Sequence, residues 1–339
     1  MAHRVDEFTL IQRHFAPLSV GAPGSLALRD DAAWLRAEAG NDLVVSADAI
    51  VGDVHFPANT SAGDIARRAL RVNLSDIAAK GARACAYTLA LQLPDFVDDA
   101  WLSAFAAGLA EDQDRFGIFL LGGDTTRTPG PLALTVNIFG QVSENEMIVR
   151  SGASEGDDVY VTGSIGDATL GLALVRSELR AVDPPDTAFL EARFLRPDPR
   201  VDAGPALVGI ASAAADVSDG LVADLGHICA ASGVAADIDR DSVPHSDAAH
   251  RLVTDDQPLR TRLLTGGDDY EIVFTAPETA RDSISAIAAN TGVPMTRIGR
   301  VTPQTADGPA VTVRDAAGDA IEVGHGGYRH FEEGDPRRE

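Results

Sequence analysis

Carboxylates carry the first signal. Apolar runs in this chain stop repeatedly at aspartate-rich turns: Asp30 and Asp31 follow LALR, Asp48 follows VVSA, Asp76 lies in NLSD, and Asp124 ends LLGGD. The pattern continues with Asp216 and Asp219 in DVSDG and with Asp268 and Asp269 in GGDDYE. Any one of them is most simply a helix cap or a turn residue, roles that aspartate favours. As a set they ask for more, because carboxylates gathered at strand ends repel one another unless protonated or bridged by cations. Hard oxygen ligands of this kind suit Mg2+, which is shared with substrate phosphates.

Glycine and arginine sit beside several of these turns. Gly122 and Gly123 precede Asp124, and Thr125, Thr126 and Arg127 follow it. Arg150 opens RSGASEGD, where a guanidinium could hold phosphate bidentately, although an arginine before a turn is usually a surface charge. Ser164 and Gly166 fall at an expected helix start, a natural anion site. His55 in GDVHF reads equally as a substrate contact, a buried histidine or a surface residue. Lys80 is the only lysine. No lysine therefore follows the glycines as a Walker-type loop requires, and phosphate must be met by arginine, backbone N–H groups or metal. Asp237, Asp239 and Asp241 imitate the opening of an EF-hand, but Ser242 and Ala248 stand where that loop needs Gly and Glu. The segment reads instead as a strand end and turn.

The elements that must position these residues form two halves, divided near Val149 and Arg150. In the first, SLALRDDAAWL and DLVVSADAIV read as strands. Ser61 to Lys80 repeats apolar residues at helical spacing, and YTLALQL is a strand. AWLSAFAAGLAEDQDRFG is a helix ending at Gly117, and IFLLGGD and LALTVNIFGQV are strands. The second half opens with the strand DDVYVTGS and the helix IGDATLGLALV, with AVDPPD as a surface loop. ASAAADVSDG, the helix LVADLGHICAAS, the strand VAADID and GGDDYEIVFTA follow. Strands mixed with helices in both halves predict α/β or α+β domains.

Composition narrows the partners. The 339 residues are 45% apolar, enough for two cores, but only 5% aromatic, so Ala, Val, Leu and Ile must build them. With 28 basic and 51 acidic residues the net charge is −23, which repels nucleic acid and anionic membranes. No apolar run approaches the roughly 20 residues of a membrane span, and MAHRVDEFTLIQRHF lacks a secretory apolar stretch. Two cysteines, Cys85 and Cys229, fit a reducing compartment. The expected location is cytoplasmic.

Taken in order, DEFTLIQRHF, RDDAAWL, VVSADAIVGDVHF, RALRVNLSDIAAKGA, LGGDTTR, VRSGASEGDDVYVTGSIGDATLGL, ADVSDGLVADLGHI and LTGGDDYEIVFT resemble the thiamine-monophosphate kinases of the aminoimidazole-ribonucleotide-synthetase-like superfamily. The resemblance spans nearly the whole chain. It implies an ATP-dependent phosphorylation of thiamine monophosphate to thiamine diphosphate. It also implies two synthetase-like α/β domains, 1–149 and 150–339, with the N-terminal sheet pairing across a homodimer. Carried over by position, Asp31, Ser46, Asp48, Asp76, Asp124, Asp216 and Asp219 would bind several Mg2+ ions, Asp76 and Asp219 being most critical. Gly123, Asp124, Arg150 and Ser218 would contact ATP. His55, Asp268 and an aromatic residue in the His325–Tyr328 stretch, taken as Tyr328, would face thiamine monophosphate. No residue is assigned as a general acid or base. The chain departs from the family at Ala27-Leu28-Arg29-Asp30-Asp31, where GIGDD is usual, so that Arg29 would remove backbone freedom. Ala47 replaces a usual threonine, so that one metal contact would be lost or would fall to backbone oxygen. Asp268 stands where glutamate is frequent. The alternatives are a purine-biosynthesis cyclo-ligase-like enzyme of the same superfamily and a non-catalytic nucleotide-binding relic.

Overall fold

The computed structural model describes residues 7–180, 183–253, 256–306, 308–323 and 327. The chain falls into two units. One takes in the chain through Met147 together with Leu195–Val208; the other takes in Ile148–Phe194 and the chain from Gly209 onward.

The first unit begins with the short helix α1 (Glu7–Leu10) and helical turns at Ile11–Phe15, Ala16–Ser19 and Pro23–Leu28. Then come β1 (Asn41–Val51), α2 (Ala62–Ala79), β2 (Arg83–Leu93), α3 (Asp99–Phe116), β3 (Phe119–Arg127) and β4 (Ala133–Ser143). Local chemistry fixes the helix ends. Ser61 accepts the Asp64 N–H at 3.1 Å to start α2, and Asp98 accepts the Trp101 N–H at 2.8 Å to start α3. Gly117, at φ 67°, closes α3 in the left-handed region. The four strands run in the order β1-β4-β2-β3, antiparallel except for the parallel β2–β3 pair. The helix α2 lies on one face of this sheet, and α3 packs on α2. Ile65, Leu70 and Ile77 meet Leu89, Leu91, Val136 and Ile138 in the core. On the other face, Leu43 and Val45 of β1 are exposed.

In the second unit the order is β5 (Asp158–Thr162), α4 (Asp167–Val175), α5 (Pro184–Leu195), β6 (Ala213–Asp216), α7 (Leu221–Ser232) and β7 (Val234–Asp239). It continues through α8 (Asp247–Val253), α9 (Gln257–Leu263), β8 (Ile272–Ala276), α10 (Arg281–Thr291), β9 (Met295–Pro303), β10 (Val311–Arg314) and β11 (Ala320–Ile321). The sheet order is β11-β10-β7-β9-β5-β8-β6. β5 and β8 are buried along their whole length, which suits strands with a neighbour on each side. The helix α7 packs against β6, β7, β8 and β10, and Leu221, Leu225 and Ile228 join Val161, Val273 and Ile298 in the core.

The short helix α6 (Ala203–Ala206) belongs to the first unit. Arg71 of α2 holds Asp112 through two bonds of 2.8 and 2.7 Å and also donates to the carbonyls of Arg196 and Pro197. Val201 and Val208 pack on the first core.

The mixed α/β character expected from the sequence is present in both units. Two local expectations fail. SLALRDDAAWL is not a strand: it begins within the Pro23–Leu28 turn and continues as irregular chain, with Leu28, Ala32, Ala33 and Leu35 lining a cavity rather than pairing with a neighbour. AVDPPD is not all loop, since Pro184 and Pro185 open α5; proline is accommodated in a first helical turn, where its missing N–H has no intrahelical partner. Among the described residues no helix is long and apolar enough to cross a membrane.

Candidate active site

In the first unit, strand alternation places Ser46 and Asp48 on one face of β1, half-buried. Ser46 donates to Asp76 Oδ2 at 2.6 Å. One turn before Asp76 on α2, Asn73 accepts the Asp48 N–H at 3.1 Å and is itself steadied by the Ala69 carbonyl at 2.9 Å. Asn73 and Asp76 thus fasten one helical face to two alternate residues of β1. Ala47 lies on the opposite, exposed face. A threonine side chain there would point away from Ser46 and Asp48.

A cavity of about 500 Å³ brings a second set together. Asp30, Asp31, Gly122, Gly123 and Asp124 line it beside apolar walls from Ile11, Phe15, Leu28, Leu91 and Phe139. The glycines reach this position through an irregularity in the β2–β3 pairing: Tyr87 faces Leu120, but Thr88 faces Gly122, leaving Leu121 as an extra residue. A bulge of this kind re-aims the side chains that follow it. Before Asp30 the backbone is unusual. Leu26, Ala27 and Leu28 have φ values of 51°, 57° and 54°, left-handed conformations that cost energy in any residue with a Cβ. Arg29 itself sits at φ −114°, an ordinary value. The backbone freedom expected to be lost at Arg29 is therefore demanded one to three residues earlier. His55 accepts the Val51 N–H on Nδ1 at 3.1 Å, which leaves Nε2 to carry the hydrogen of the neutral ring.

In the second unit, Asp216 is buried at the end of β6. The DVSDG turn that follows is pinned by Asp224 of α7, whose Oδ2 accepts the N–H groups of Ser218, Asp219 and Gly220 at 3.0, 3.1 and 3.2 Å. Burial and then the nearby Asp219 carboxylate push the Asp224 pKa up to about 7, against those three donors. Asp219, Asp224 and His227 each bring one ligand atom within 4.8 Å of the others. The GGDDYE loop runs alongside: Asp268 N–H donates to the Ser218 carbonyl at 2.9 Å, and Tyr270 N–H to the Val217 carbonyl at 2.8 Å.

The N-terminus of α4, expected as an anion site, is already occupied by a carboxyl group of the protein. Asp269 accepts the N–H groups of Gly166 and Ala168 at 2.6 and 3.1 Å. Burial and then the Asp167 carboxylate hold its pKa well above the usual range. Arg150 is exposed, and its carbonyl accepts the Ser232 hydroxyl at 3.2 Å. Tyr328 and His325 lie outside the described residues; Gly327 is described and lies against Asp219 and Ala223. Asn73 and Asp224 were missed as supports of the site, and Asp269 was read only as one of the turn aspartates. Only Asn73 carried a usable signal, its spacing of three from Asp76 on one helix.

Two family models match most of the chain. AIR synthase related protein, N-terminal domain, covers residues 29–142, and AIR synthase related protein, C-terminal domain, covers residues 154–311. The thiamine-monophosphate kinase of Escherichia coli (strain K12) is 43% identical over 327 residues, which is 96% of this chain and 98% of that protein. The chain belongs to the thiamine-monophosphate kinase family. Among solved structures, thiamine-monophosphate kinase from Stenotrophomonas maltophilia K279a is 45% identical with a TM-score of 0.78, covering 87% of this chain and 91% of that one. AaThiL complexed with AMPPCP and TMP is 28% identical with a TM-score of 0.75, covering 87% and 89%. As a thiamine-monophosphate kinase family member, the chain carries aspartate-rich turns in both units.

Proposed function

We propose that this chain transfers the terminal phosphoryl group of ATP to thiamine monophosphate, giving thiamine diphosphate and ADP. The observation that carries this reading is the 43% identity to a thiamine-monophosphate kinase across 96% of the chain. The relative solved with AMPPCP and TMP together supports two substrates bound at once.

The donor set fits Mg2+, being almost wholly carboxylate and hydroxyl oxygen. Asp31, Ser46, Asp48, Asp76, Asp124, Asp216 and Asp219 would hold it, and bound there it would offset the repulsion between nucleotide and acceptor phosphates. The chain's own groups position the reactants. Ser46 and Asn73 orient the β1–α2 carboxylates, and the bulge on β3 presents Gly123 and Asp124 to the nucleotide. Arg150 would meet phosphate through its guanidinium, and Ser218 of the DVSDG turn would contact ATP. His55 and Asp268 would face thiamine monophosphate. Its phosphate is already an anionic nucleophile at neutral pH, so no side chain is required to take a proton.

The same reading includes two domains, 1–149 and 150–339, a boundary supported by the spans of the two family models. It also includes a homodimer, supported by the exposed Leu43 and Val45 on the uncovered face of β1. ADP release with Mg-ATP, measured with and without thiamine monophosphate, tests the activity. Substrate-dependent ADP matched by thiamine diphosphate is expected; nucleotide binding with no product would overturn it.

A further inference from the structure

Asp269 has no place in the chemistry above, yet it is among the most completely buried charged residues of the second unit. The residues on either side, Asp268 and Tyr270, have φ values of 72° and 52°. Two left-handed residues that are not glycine, one on each side of a buried carboxylate, form a loop that would relax if released. Three things hold it. The Asp269 carboxylate takes two N–H groups at the start of α4. The Asp268 and Tyr270 N–H groups bond the carbonyls of Ser218 and Val217. Arg193 donates to the Asp269 carbonyl at 3.2 Å and to Glu271 at 2.8 Å. The pairing with Ser218 and Val217 is backbone only and depends on the loop being in place. The side chain of Asp269 is the part that specifies where the loop sits. The DVSDG turn, by contrast, has its own anchor in Asp224.

We propose that Asp269 is a positioning residue for the phosphoryl transfer: its buried carboxylate pins the GGDDYE loop to the start of α4 and so fixes Asp268 toward thiamine monophosphate. The proposal rests on the functional reading above. It makes a selective statement, because a loop freed from α4 misplaces Asp268 while Asp224 continues to hold Ser218 and Asp219.

The test uses the full chain with Asp269→Asn, which keeps the size of the side chain and one acceptor oxygen but turns an N–H2 toward a backbone donor. Steady-state kinetics are read separately for the two substrates, with ATP binding measured by calorimetry in the absence of turnover. The expected result is a rise of about tenfold in KM for thiamine monophosphate, the loss of one hydrogen bond that holds the loop. ATP affinity stays near wild type, and amide exchange quickens at 266–271 but not at 216–220. A KM for thiamine monophosphate equal to wild type overturns the proposal, as does a loss that falls equally on both substrates. If Asp269→Asn yields too little folded protein, Asp268→Asn supplies the second arm. It leaves the pin intact and removes what the pin presents, so it must give the same substrate-selective rise; no change in KM there overturns the proposal. Failure of the underlying reading looks different: the unaltered chain would then show no ADP release dependent on thiamine monophosphate.

Discussion

Placing a methyl group on each glycine of the LGGD motif in turn separates what the strand needs from what the cavity needs. A Cβ on Gly123 would lie 1.8 Å from the Leu89 carbonyl oxygen and 2.7 Å from its carbon, both backbone atoms of the paired strand β2. That is roughly 1.6 Å short of ordinary contact, and no rotamer change relieves a clash with backbone. The strands must part locally. Losing about two ladder bonds at ~1 kcal/mol each, with overpacking strain of ~1–3 kcal/mol, gives a destabilisation of roughly 3–5 kcal/mol for Gly123→Ala. In a unit of this size the melting temperature would fall by roughly 6–20 °C. Gly122 has nothing within 4 Å of its Cβ position and lines the cavity. Gly122→Ala should keep its stability within ~0.5 kcal/mol while raising KM for ATP, because the methyl would enter the cavity proposed for the nucleotide. Thermal melts of both variants, with ADP-release kinetics alongside, decide the matter. A Gly123→Ala protein melting within about 2 °C of wild type would refute the close approach of β3 to β2.

Three further outcomes follow from other parts of the molecule. Asp76→Asn or Asp219→Asn should lower turnover by more than about a hundredfold, and Ser46→Ala by about tenfold, with unchanged circular dichroism; near-normal turnover in either aspartate variant sinks the metal assignment. Ala27→Gly should raise stability by about 1 kcal/mol by relieving a left-handed backbone, whereas Arg29→Gly should gain nothing in denaturant unfolding. A large gain in thiamine monophosphate turnover from Arg29→Gly would show that its charge harms the site. Asp158, buried beneath Arg281 and Arg297, is raised by burial but lowered further by hydrogen bonds from both, so its folded pKa lies below the ordinary one. Its contribution is therefore present above the unfolded pKa of about 4 and fades as pH falls through the folded value. Urea unfolding should show Asp158→Asn about 2 kcal/mol less stable at pH 7, the gap shrinking below pH ~4; a gap constant with pH would contradict this.

Much of the fold is legible where sequence periodicity is long. The α2 pattern from Ser61 to Lys80, the stop at Gly117 and the alternation along β4 each read correctly, because burial on one face leaves a repeat. The region 25–35 misleads because its few apolar residues serve a cavity wall, which imposes no period. Proline at 184 and 185 reads as a loop when only the chain beyond it shows that a helix begins there. In the site, the aspartate-rich turns stand out by composition, whereas their supports do not. Asp224 lies on a helix that looks merely amphipathic, and Asp269 finds its donors about a hundred residues earlier, at Gly166 and Ala168. The face to which Ala47 belongs became clear only once β1 was paired with β4.

The return of Leu195–Val208 to the first unit has a consequence for how the protein is made. During synthesis the N-terminal unit is still incomplete when Met147 leaves the ribosome; its last segment, through Val208, follows roughly 3–12 s later at ordinary elongation rates. Through that interval Arg71 lacks its two carbonyl partners, and the place on α2 later taken by α6 stands open. At that seat, Gly204 approaches so closely that a Cβ would lie 2.0 Å from the Ala78 carbonyl oxygen. The nascent unit is thus a candidate client for chaperones in a way that its compact sheet does not suggest. A fragment cut at residue 149 would stay in that unfinished condition permanently, since the inheritance boundary between the domains is not the boundary at which the first of them finishes folding.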